Sequence, residues 1–334
     1  MAEHHPQRPA PRIATRAAID FMVRSARAIA ETFDGDLPGG LALLALMRAQ
    51  YPLIDARKPL ERPVAVQSMA RSLKIPAETM RRSINRLVER GWCRRIDMRG
   101  VTLSEEALGS GEVTALIKTI REEFGRMIVG LKSIGFDFDI MDRASEEEVT
   151  LPDLAAVDAG KPVTGDIDSG AFDAPILDFM LRFVDGGLAP HDDNYVRSYV
   201  FATIMSANAA PFTLNPEIAW RYAGHDTPPP DEMRRPISLS ELSQLLVMPY
   251  ETTRRYVNSL IEMGHCVRDE NKGITVPTSV TQAPEVLKSG IEITRRFAQT
   301  IGELKRCGFD FRAVAVSSAV RNFELPERGE DGAA

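Results

Sequence analysis

One segment of this 334-residue chain occurs twice, 173 positions apart. Residues 76–102 align with residues 249–275 without a gap, and 13 of the 27 aligned positions are identical. The same offset relates the Gly-Phe-Asp-Phe segment at 135–138 to an identical segment at 308–311. A repeat of this length corresponds to a folding unit, so the chain is expected to contain two copies of one module.

The repeat also divides the chain into predicted segments. Acidic residues, glycine and proline are concentrated between the copies, as in a linker, and both ends of the chain read as disordered. The second copy holds 15 additional residues around 215–232, where three consecutive prolines predict an irregular loop. The predicted segments are a disordered N-terminus (1–12), a first repeat unit (13–140), an acidic linker (141–172), a second repeat unit (173–323) and a disordered tail (324–334).

Composition limits the class of protein. Hydrophobic residues make up 44% of the chain and charged residues 26%, as in globular proteins. The longest apolar run, residues 41–47, is too short to cross a bilayer, and the N-terminus lacks the apolar core of a signal peptide. Three cysteines without metal-binding spacing fit a reducing compartment, so a cytoplasmic protein is expected.

No motif argues for catalysis. The sequence contains no phosphate-binding loop, dinucleotide fingerprint, zinc-protease motif or serine-hydrolase motif in its required context, so neither an enzyme nor a cofactor is predicted. His191, Asp192 and Asp193 could ligate a metal, but no second histidine is near them in the sequence, and a polar turn is expected. Cys93 and Cys266 share one repeat position and are expected to be buried thiols.

The centre of each repeat has a distinctive order of elements. In the first copy, residues 66–73 have the spacing of a short buried helix. Pro76 predicts a tight turn before it, because a residue that precedes proline is driven out of the helical region. A second helix is expected over residues 76–90, since proline suits its start and glycine its end. Two β-prone stretches, 92–96 and 101–103, then predict a hairpin with a basic tip.

The second of these helices is amphipathic. Met80, Ile84, Leu87 and Val88 fall on one face and are expected in the core. The opposite face carries long hydrogen-bond donors, a set that can bind base edges and phosphates. The polar residues of this face are Thr79, Arg81, Arg82, Asn85 and Arg86.

This order of helix, turn, helix and hairpin resembles the winged helix-turn-helix domain of bacterial transcription factors. The resemblance rests on the pattern Ala-x-x-Leu-x-Ile-Pro-x-Glu-Thr-x-Arg-Arg-x-Ile-x-x-Leu-x-x-x-Gly, residues 70–91, and its two copies cover about a quarter of the chain. It implies a mainly α fold with small β-hairpin wings, arranged as two tandem winged helix-turn-helix domains from an internal duplication. It also implies that the second helix enters the major groove of double-stranded DNA while the hairpin lies along the backbone or minor groove.

The resemblance implies a set of DNA contacts in both copies. Residues 61–100 hold ten basic and four acidic residues, a net charge of +6, whereas residues 234–273 have a net charge of +1 and the whole chain −6. The first copy is therefore expected to bind DNA more strongly. The alternative is that Arg81 and Arg82 form a solvated helix face, paired with Glu78 and Glu89. The candidate DNA-binding residues are Thr79, Arg81, Arg82, Asn85, Arg86, Arg94, Arg95, Arg99, Thr252, Arg254, Arg255 and Asn258.

A further pattern follows the hairpin. Apolar residues recur at alternating spacings of four and three over residues 113–134, as in a heptad seam, and the second copy carries a degraded version. This helix is expected either to pack on its own domain or to pair with its counterpart, within the chain or in a homo-oligomer. Pairing would set the spacing of the two winged domains, about 34 Å on DNA. The seam residues are Val113, Ile117, Ile120, Phe124, Met127, Leu131 and Ile134.

The sequence thus predicts a sequence-specific, double-stranded DNA-binding transcriptional regulator that acts as a single-chain pseudo-dimer. Two alternatives stay open: a protein-interaction or chromosome-organising adaptor built on winged helices, and a plasmid-type replication initiator. The acidic whole chain and the nearly neutral second copy favour the adaptor, whereas the charge of the first copy opposes it.

Overall fold

The computed structural model describes residues 10–55, 62–96, 99–139, 172–187, 191, 194–213 and 215–314. Within them the chain is mainly helical, and its strands form two separate two-stranded antiparallel sheets, so the expected mainly α class is confirmed. The predicted tail and the predicted linker, except Phe172, lie outside the described residues. No helix in the described ranges combines the length and apolar composition needed to cross a membrane.

Apart from the additional helix α9 (Pro216–Arg221) in the second copy, the helices and strands follow the same order in both repeats. Helix α1 begins at Pro11, within the N-terminal segment predicted to be disordered, and residues 1–9 of that segment lie outside the described residues. The first repeat contains α1 (Pro11–Thr32), α2 (Leu37–Asp55), α3 (Val66–Ser72), α4 (Ala77–Glu89), β1 (Cys93–Ile96), β2 (Gly100–Leu103), α5 (Glu105–Gly109) and α6 (Gly111–Ser133). The second contains α7 (Asp173–Gly187), α8 (Tyr195–Thr213), α9 (Pro216–Arg221), α10 (Leu239–Leu246), α11 (Tyr250–Glu262), β3 (Val267–Arg268), β4 (Ile274–Thr275), α12 (Thr278–Thr281) and α13 (Pro284–Arg306).

Helices α3 and α4 lie where the repeat predicted them. Met80, Ile84 and Leu87 of α4 are buried, which confirms the apolar face of the helix. The turn between α3 and α4 bends at Lys74, which has a φ of 50°. Val247, at the equivalent position of the second copy, has a φ of 51°. Both copies therefore have a residue in the left-handed conformation at the same position, between α3 and α4 and between α10 and α11.

Each hairpin is extended by one isolated β-bridge to the segment that precedes α3 in the first copy and α10 in the second. Val64 pairs with Val101 and Ile237 pairs with Ile274, again 173 positions apart. Gly100 has a φ of +125°, and a Cβ at this position would lie 2.3 Å from the carbonyl oxygen of Val64. Only glycine permits this approach, so the hairpin is held closely against the rest of its module.

The two copies meet in a bundle of the four helices α1, α6, α7 and α13. Helix α6 packs mainly on α1, and α13 packs on α7 and along α1. Phe21 of α1 stacks on Phe179, its counterpart in the second copy, with ring centroids 5.9 Å apart. Phe124 lies edge-on to Phe21 at 5.4 Å, and its counterpart Phe297 lies 5.8 Å from Phe179. One hydrophobic core therefore contains side chains from both copies.

Polar contacts between the copies occur in equivalent pairs. Lys132 donates a hydrogen bond to the carbonyl oxygen of Phe311 at 3.1 Å, and Lys305 donates to that of Phe138 at 3.3 Å. The two lysines are 173 positions apart, as are the two phenylalanines, whose rings stack at 4.7 Å. Contacts that are repeated in this way are expected at an interface between units related by two-fold symmetry.

The second helix of each copy also contacts the first helix of the other copy. Arg48 of α2 donates to Asp178 of α7 at 3.1 Å, and Ser206 of α8 donates to Asp20 of α1 at 2.9 Å. Asp20 and Asp178 occupy equivalent positions, as do Arg48 and Ser206. The copies are therefore interlocked through their first two helices.

The apolar seam over residues 113–134 is covered within the chain. All seven of its residues are buried, and α1 is the main partner of α6. The helix thus packs on the first helix of its own copy, which is one of the two arrangements expected from the sequence. A homo-oligomer formed through the 113–134 helix would first have to displace α1, because α1 already covers the seam.

The insertion in the second copy is more ordered than the predicted loop. It contains α9 and a short 3-10 turn at Asp231–Met233. Arg12 of α1 donates to the carbonyl oxygen of His225 at 3.2 Å. Trp220 donates from its indole to the carbonyl oxygen of Ile134, after the end of α6, at 2.6 Å. The insertion therefore fastens the second copy to the first.

The cysteines agree with the expectation from the repeat. Cys93 and Cys266 are buried, and burial raises the pKa of each thiol to about 12. Both are therefore protonated at neutral pH, which makes them poor nucleophiles. Cys307, at the end of α13, is exposed.

Candidate nucleic-acid interface

Helix α4 presents its polar face to solvent. Its apolar residues pack against α2 and α3, so the opposite side of the helix forms part of the molecular surface. Arg81, Arg82 and Arg86 are exposed there, whereas Thr79 and Asn85 are half-buried. The five candidates that the sequence placed on this helix therefore share one face, as predicted.

Glu78, in the first turn of α4, holds two of these arginines. Arg81 donates two hydrogen bonds to its carboxylate, at 2.7 and 2.8 Å, and Arg82 donates one at 3.0 Å. The bonds from Arg81 and then Arg82 lower the pKa of Glu78 to about 2, so this carboxylate is ionised at neutral pH. All three side chains are more than half exposed, and ion pairs in such positions are weak. Without DNA, Arg81 and Arg82 are thus solvated and paired with Glu78, as in the alternative considered from the sequence.

Arg86 is bound to the body of the first copy. Its guanidinium lies 2.6 Å from a carboxylate oxygen of Asp36, and Ser83 donates to the other oxygen of this carboxylate at 2.8 Å. Asp36 also accepts a hydrogen bond from the Gly39 amide at 3.1 Å, as residues that cap a helix do. Arg86 therefore fixes α4 to the start of α2, and only its remaining donors are left for the predicted DNA contact.

This ion pair has no counterpart in the second copy. Ser259 takes the place of Arg86, and Asn194 takes the place of Asp36. Asn194 keeps the capping role, since its side-chain oxygen accepts from the Arg197 amide at 3.0 Å. Both residues of the ion pair are replaced in the second copy, so neither charge is kept without the other. The charge of Arg86 therefore serves the ion pair with Asp36, and it is not a feature that the two surfaces share.

One hydrogen bond joins the hairpin to the helix. Arg95 on β1 donates to the side-chain oxygen of Asn85 on α4 at 2.6 Å. Arg94 and Arg95 are exposed, as is Arg99 at the hairpin tip, while positions 97 and 98 lie outside the described residues. The polar face of α4 and Arg95 thus form one surface, the basic face, defined as Arg81, Arg82, Asn85 and Arg95. Arg94 precedes Arg95 on β1, so its side chain lies on the other side of the hairpin.

The equivalent surface of the second copy is less basic. Arg254 donates to Glu251 at 2.6 and 2.8 Å, which repeats the pair between Arg81 and Glu78. Arg255 is exposed and lies over the ring of Tyr256, 5.4 Å from its centroid. The other two candidates of this copy, Thr252 and Asn258, are half-buried.

The two modules adjoin each other across a cleft of about 710 Å³. The start of α4, including Thr79, lines one side, and Tyr195 at the start of α8 and Tyr256 of α11 line the other. Lys74, from the turn before α4, also borders it. Helices α4 and α11 therefore both border this cleft.

His191 begins a turn, as expected, because its carbonyl oxygen accepts a hydrogen bond from the Asn194 amide at 3.0 Å, whereas Asp192 and Asp193 lie outside the described residues. The His191 ring is buried and packs on Phe201, with ring centroids 4.4 Å apart. Its Nδ1 atom lies 3.2 Å from Nδ1 of His265, which is 74 positions away in the sequence. Sequence spacing gave no signal for this pair, because the fold alone brings the two histidines together. Within the described part of the chain, no group of three or more potential metal ligands occurs.

Comparison with known proteins assigns no family to this arrangement. No protein-family model matches the chain, and no curated protein and no solved structure matches it.

Proposed function

We propose that this chain is a cytoplasmic, sequence-specific, double-stranded DNA-binding regulator of transcription. It consists of two tandem winged helix-turn-helix modules that arose by internal duplication and act as a single-chain pseudo-dimer. In this proposal α4 and α11 are the recognition helices, and the two hairpins are the wings. The first copy supplies most of the affinity, because its central segment has a net charge of +6 and that of the second copy +1.

The observation that carries the proposal is the hydrogen bond between Arg95 and Asn85. It holds the exposed Arg95 of the hairpin against α4, the helix that carries Arg81 and Arg82. A duplex offers base edges in the major groove with phosphates on both sides, so binding needs donors on an inserted helix together with cations beside it. The basic face provides both kinds of group on one surface.

The reciprocal contacts between the copies support the pseudo-dimer. Homodimeric regulators read two half-sites through two-fold symmetry. Here the paired bonds of Lys132 and Lys305, and those of Asp20 and Asp178, relate the two modules in a similar way within one chain. Because the surfaces of the two modules differ in charge, the two half-sites are expected to be unequal.

Fluorescence anisotropy with a salt series tests the proposal. The labelled DNAs are a random duplex pool and the DNA upstream of the protein's own gene. The chain is expected to bind the upstream DNA more tightly than the pool, and its affinity is expected to fall steeply between about 50 and 200 mM salt. Failure to bind either DNA at the lowest salt concentration would refute a DNA-binding role.

Replacing Glu78 with glutamine is expected to tighten DNA binding. Its carboxylate competes with phosphate for Arg81 and Arg82, and its charge repels the duplex. Exposed ion pairs are weak, so a gain in affinity of about two- to fivefold is expected from releasing them. Titration of wild-type and Glu78→Gln protein against one duplex measures the gain.

Glu251→Gln is the matched control, because Glu251 binds Arg254 in the less basic second copy as Glu78 binds Arg81. A smaller gain is expected for Glu251→Gln. Equal gains in both variants, or weaker binding by Glu78→Gln, would contradict the leading role of the first copy.

An interaction with a protein partner is the second candidate function. Two of the exposed large apolar residues, Tyr250 and Val267, lie at the start of α11 and on β3 of the nearly neutral second module. Such side chains are typical of protein interfaces, where aromatic residues are enriched and charges are depleted. If the chain binds no DNA, pull-down with the wild type and with a Tyr250→Ala, Val267→Ala variant tests this role.

A further inference from the structure

A separate pocket lies beside the bundle, away from the basic face. It has a volume of about 130 Å³ and lies between α1, α2, α7, α8 and α13. Its wall is almost entirely apolar and includes three methionines, whose flexible side chains adapt to guests of different shape. A dry apolar cavity of about 150 Å³ in another protein binds benzene, so this volume suits a single aromatic ring. The apolar wall includes Met22, Met180, Phe183, Met205 and Ile293.

Two residues of this wall carry unpaired hydroxyl groups. The side-chain oxygens of Ser198 and Tyr199 are buried, and neither has a hydrogen-bond partner among the described residues. Buried hydroxyls are ordinarily paired, because a buried group without a hydrogen bond destabilises the fold. The equivalent positions of the first copy, Gly40 and Leu41, carry no hydroxyl, so the repeated architecture does not require one.

We propose that this pocket binds a small aromatic molecule with one hydrogen-bonding group, of the chemical class of a phenol. The aromatic ring fills the apolar space, and the polar group pairs with the hydroxyl of Ser198 or Tyr199. Apolar contact supplies the affinity, and the single polar contact fixes the orientation of the guest, as in other ligand pockets.

The position of the pocket connects the guest to both modules. Helix α2, which contributes Leu41 to the wall, packs on α4, and α8, which contributes Tyr199, packs on α11. A guest therefore contacts both α2 and α8, the helices on which α4 and α11 pack. An effect of the guest on DNA affinity rests on the proposed function. Such an effect follows if the guest binds one arrangement of α2 and α8 more tightly than another.

Thermal unfolding of the full chain with p-cresol or toluene tests the site without DNA. Both compounds are expected to raise the melting temperature, because they bind the folded state alone, and p-cresol more than toluene at equal concentration. In the Ser198→Ala, Tyr199→Phe double variant the advantage of p-cresol is expected to disappear while the toluene shift remains. Ala202→Leu and Ala26→Leu fill the pocket from α8 and α1, so each is expected to abolish both shifts.

Ala115→Leu is the matched control, since Ala115 is exposed on α6 and lies outside the pocket, and it should keep both shifts. A wild type that neither compound stabilises, or shifts that survive in both filled variants, would overturn the site. An advantage of p-cresol that survives in the double variant would overturn the polar anchor. If p-cresol raises the melting temperature but leaves the anisotropy titration unchanged, the link to DNA is wrong and the site stands. A chain that binds p-cresol but no DNA refutes the proposed function alone.

Discussion

Replacing Phe179 with alanine is expected to lower the free energy of unfolding by about 3–5 kcal/mol. Phe179 is 1% exposed, and its ring lies between 5.8 and 6.5 Å from those of Phe21, Phe124 and Phe297. The substitution removes these contacts and leaves a cavity where the two copies meet, and the rigid helices of the bundle can close it only in part. Urea denaturation followed by far-ultraviolet circular dichroism measures the loss.

Phe21→Ala, at the equivalent position, is expected to have a similar effect, because the rings of Phe21 and Phe179 stack on each other. Ile291→Ala is the control: Ile291 is 54% exposed on α13, so its loss should stay within about 0.5 kcal/mol. A loss below about 1 kcal/mol for both phenylalanine variants would show that the bundle is not the shared core of the two copies.

The local elements of each module could be predicted from the sequence. Pro76 and Gly91 mark the ends of α4, and the spacing of Met80, Ile84 and Leu87 identifies its buried face. These signals act within a few residues along the chain, where backbone sterics and helical periodicity decide the structure. The internal repeat added a second, independent instance of the same pattern.

The contacts between the modules could not be predicted in the same way. The seam on α6 shows which side of the helix is buried, but its spacing does not say whether α1, α13 or another chain covers it. The stacked pair Phe21 and Phe179 joins residues 158 positions apart, and nothing in their local sequence specifies that contact. Packing of the whole bundle determines such pairs.

Arg86 shows the same limit within the candidate site. Its place on the polar face of α4 predicted a DNA contact, but Asp36, 50 positions earlier, binds its guanidinium. A capping residue at the start of α2 was a readable signal, since aspartate is favoured there. Its proximity to α4 depends on how α2 packs against that helix, which no local pattern contains.

Replacing Arg81 and Arg82 together with alanine is expected to weaken DNA binding at least about 30-fold and to reduce the salt dependence of the affinity. Both side chains are exposed in the middle of the basic face, where they can reach a groove or its phosphates. Their only described bonds are to Glu78, so the fold does not depend on them. Anisotropy titrations across salt concentrations measure the effect, and an unchanged melting temperature excludes unfolding as its cause.

Two further double variants separate the effect of a position on α4 from the effect of losing two positive charges. Arg295→Ala with Lys118→Ala also removes two positive charges, and Arg295 pairs with Glu292 as Arg81 pairs with Glu78, but on α13. This variant should lose only a few-fold in affinity, because charges that are not part of the basic face add to the general electrostatic field without contacting the duplex. Arg254→Ala with Arg255→Ala should have an intermediate effect, since these two arginines lie on the less basic of the two equivalent surfaces. Equal losses in all three variants would mean that net charge alone attracts DNA, and α4 would then not be the recognition helix.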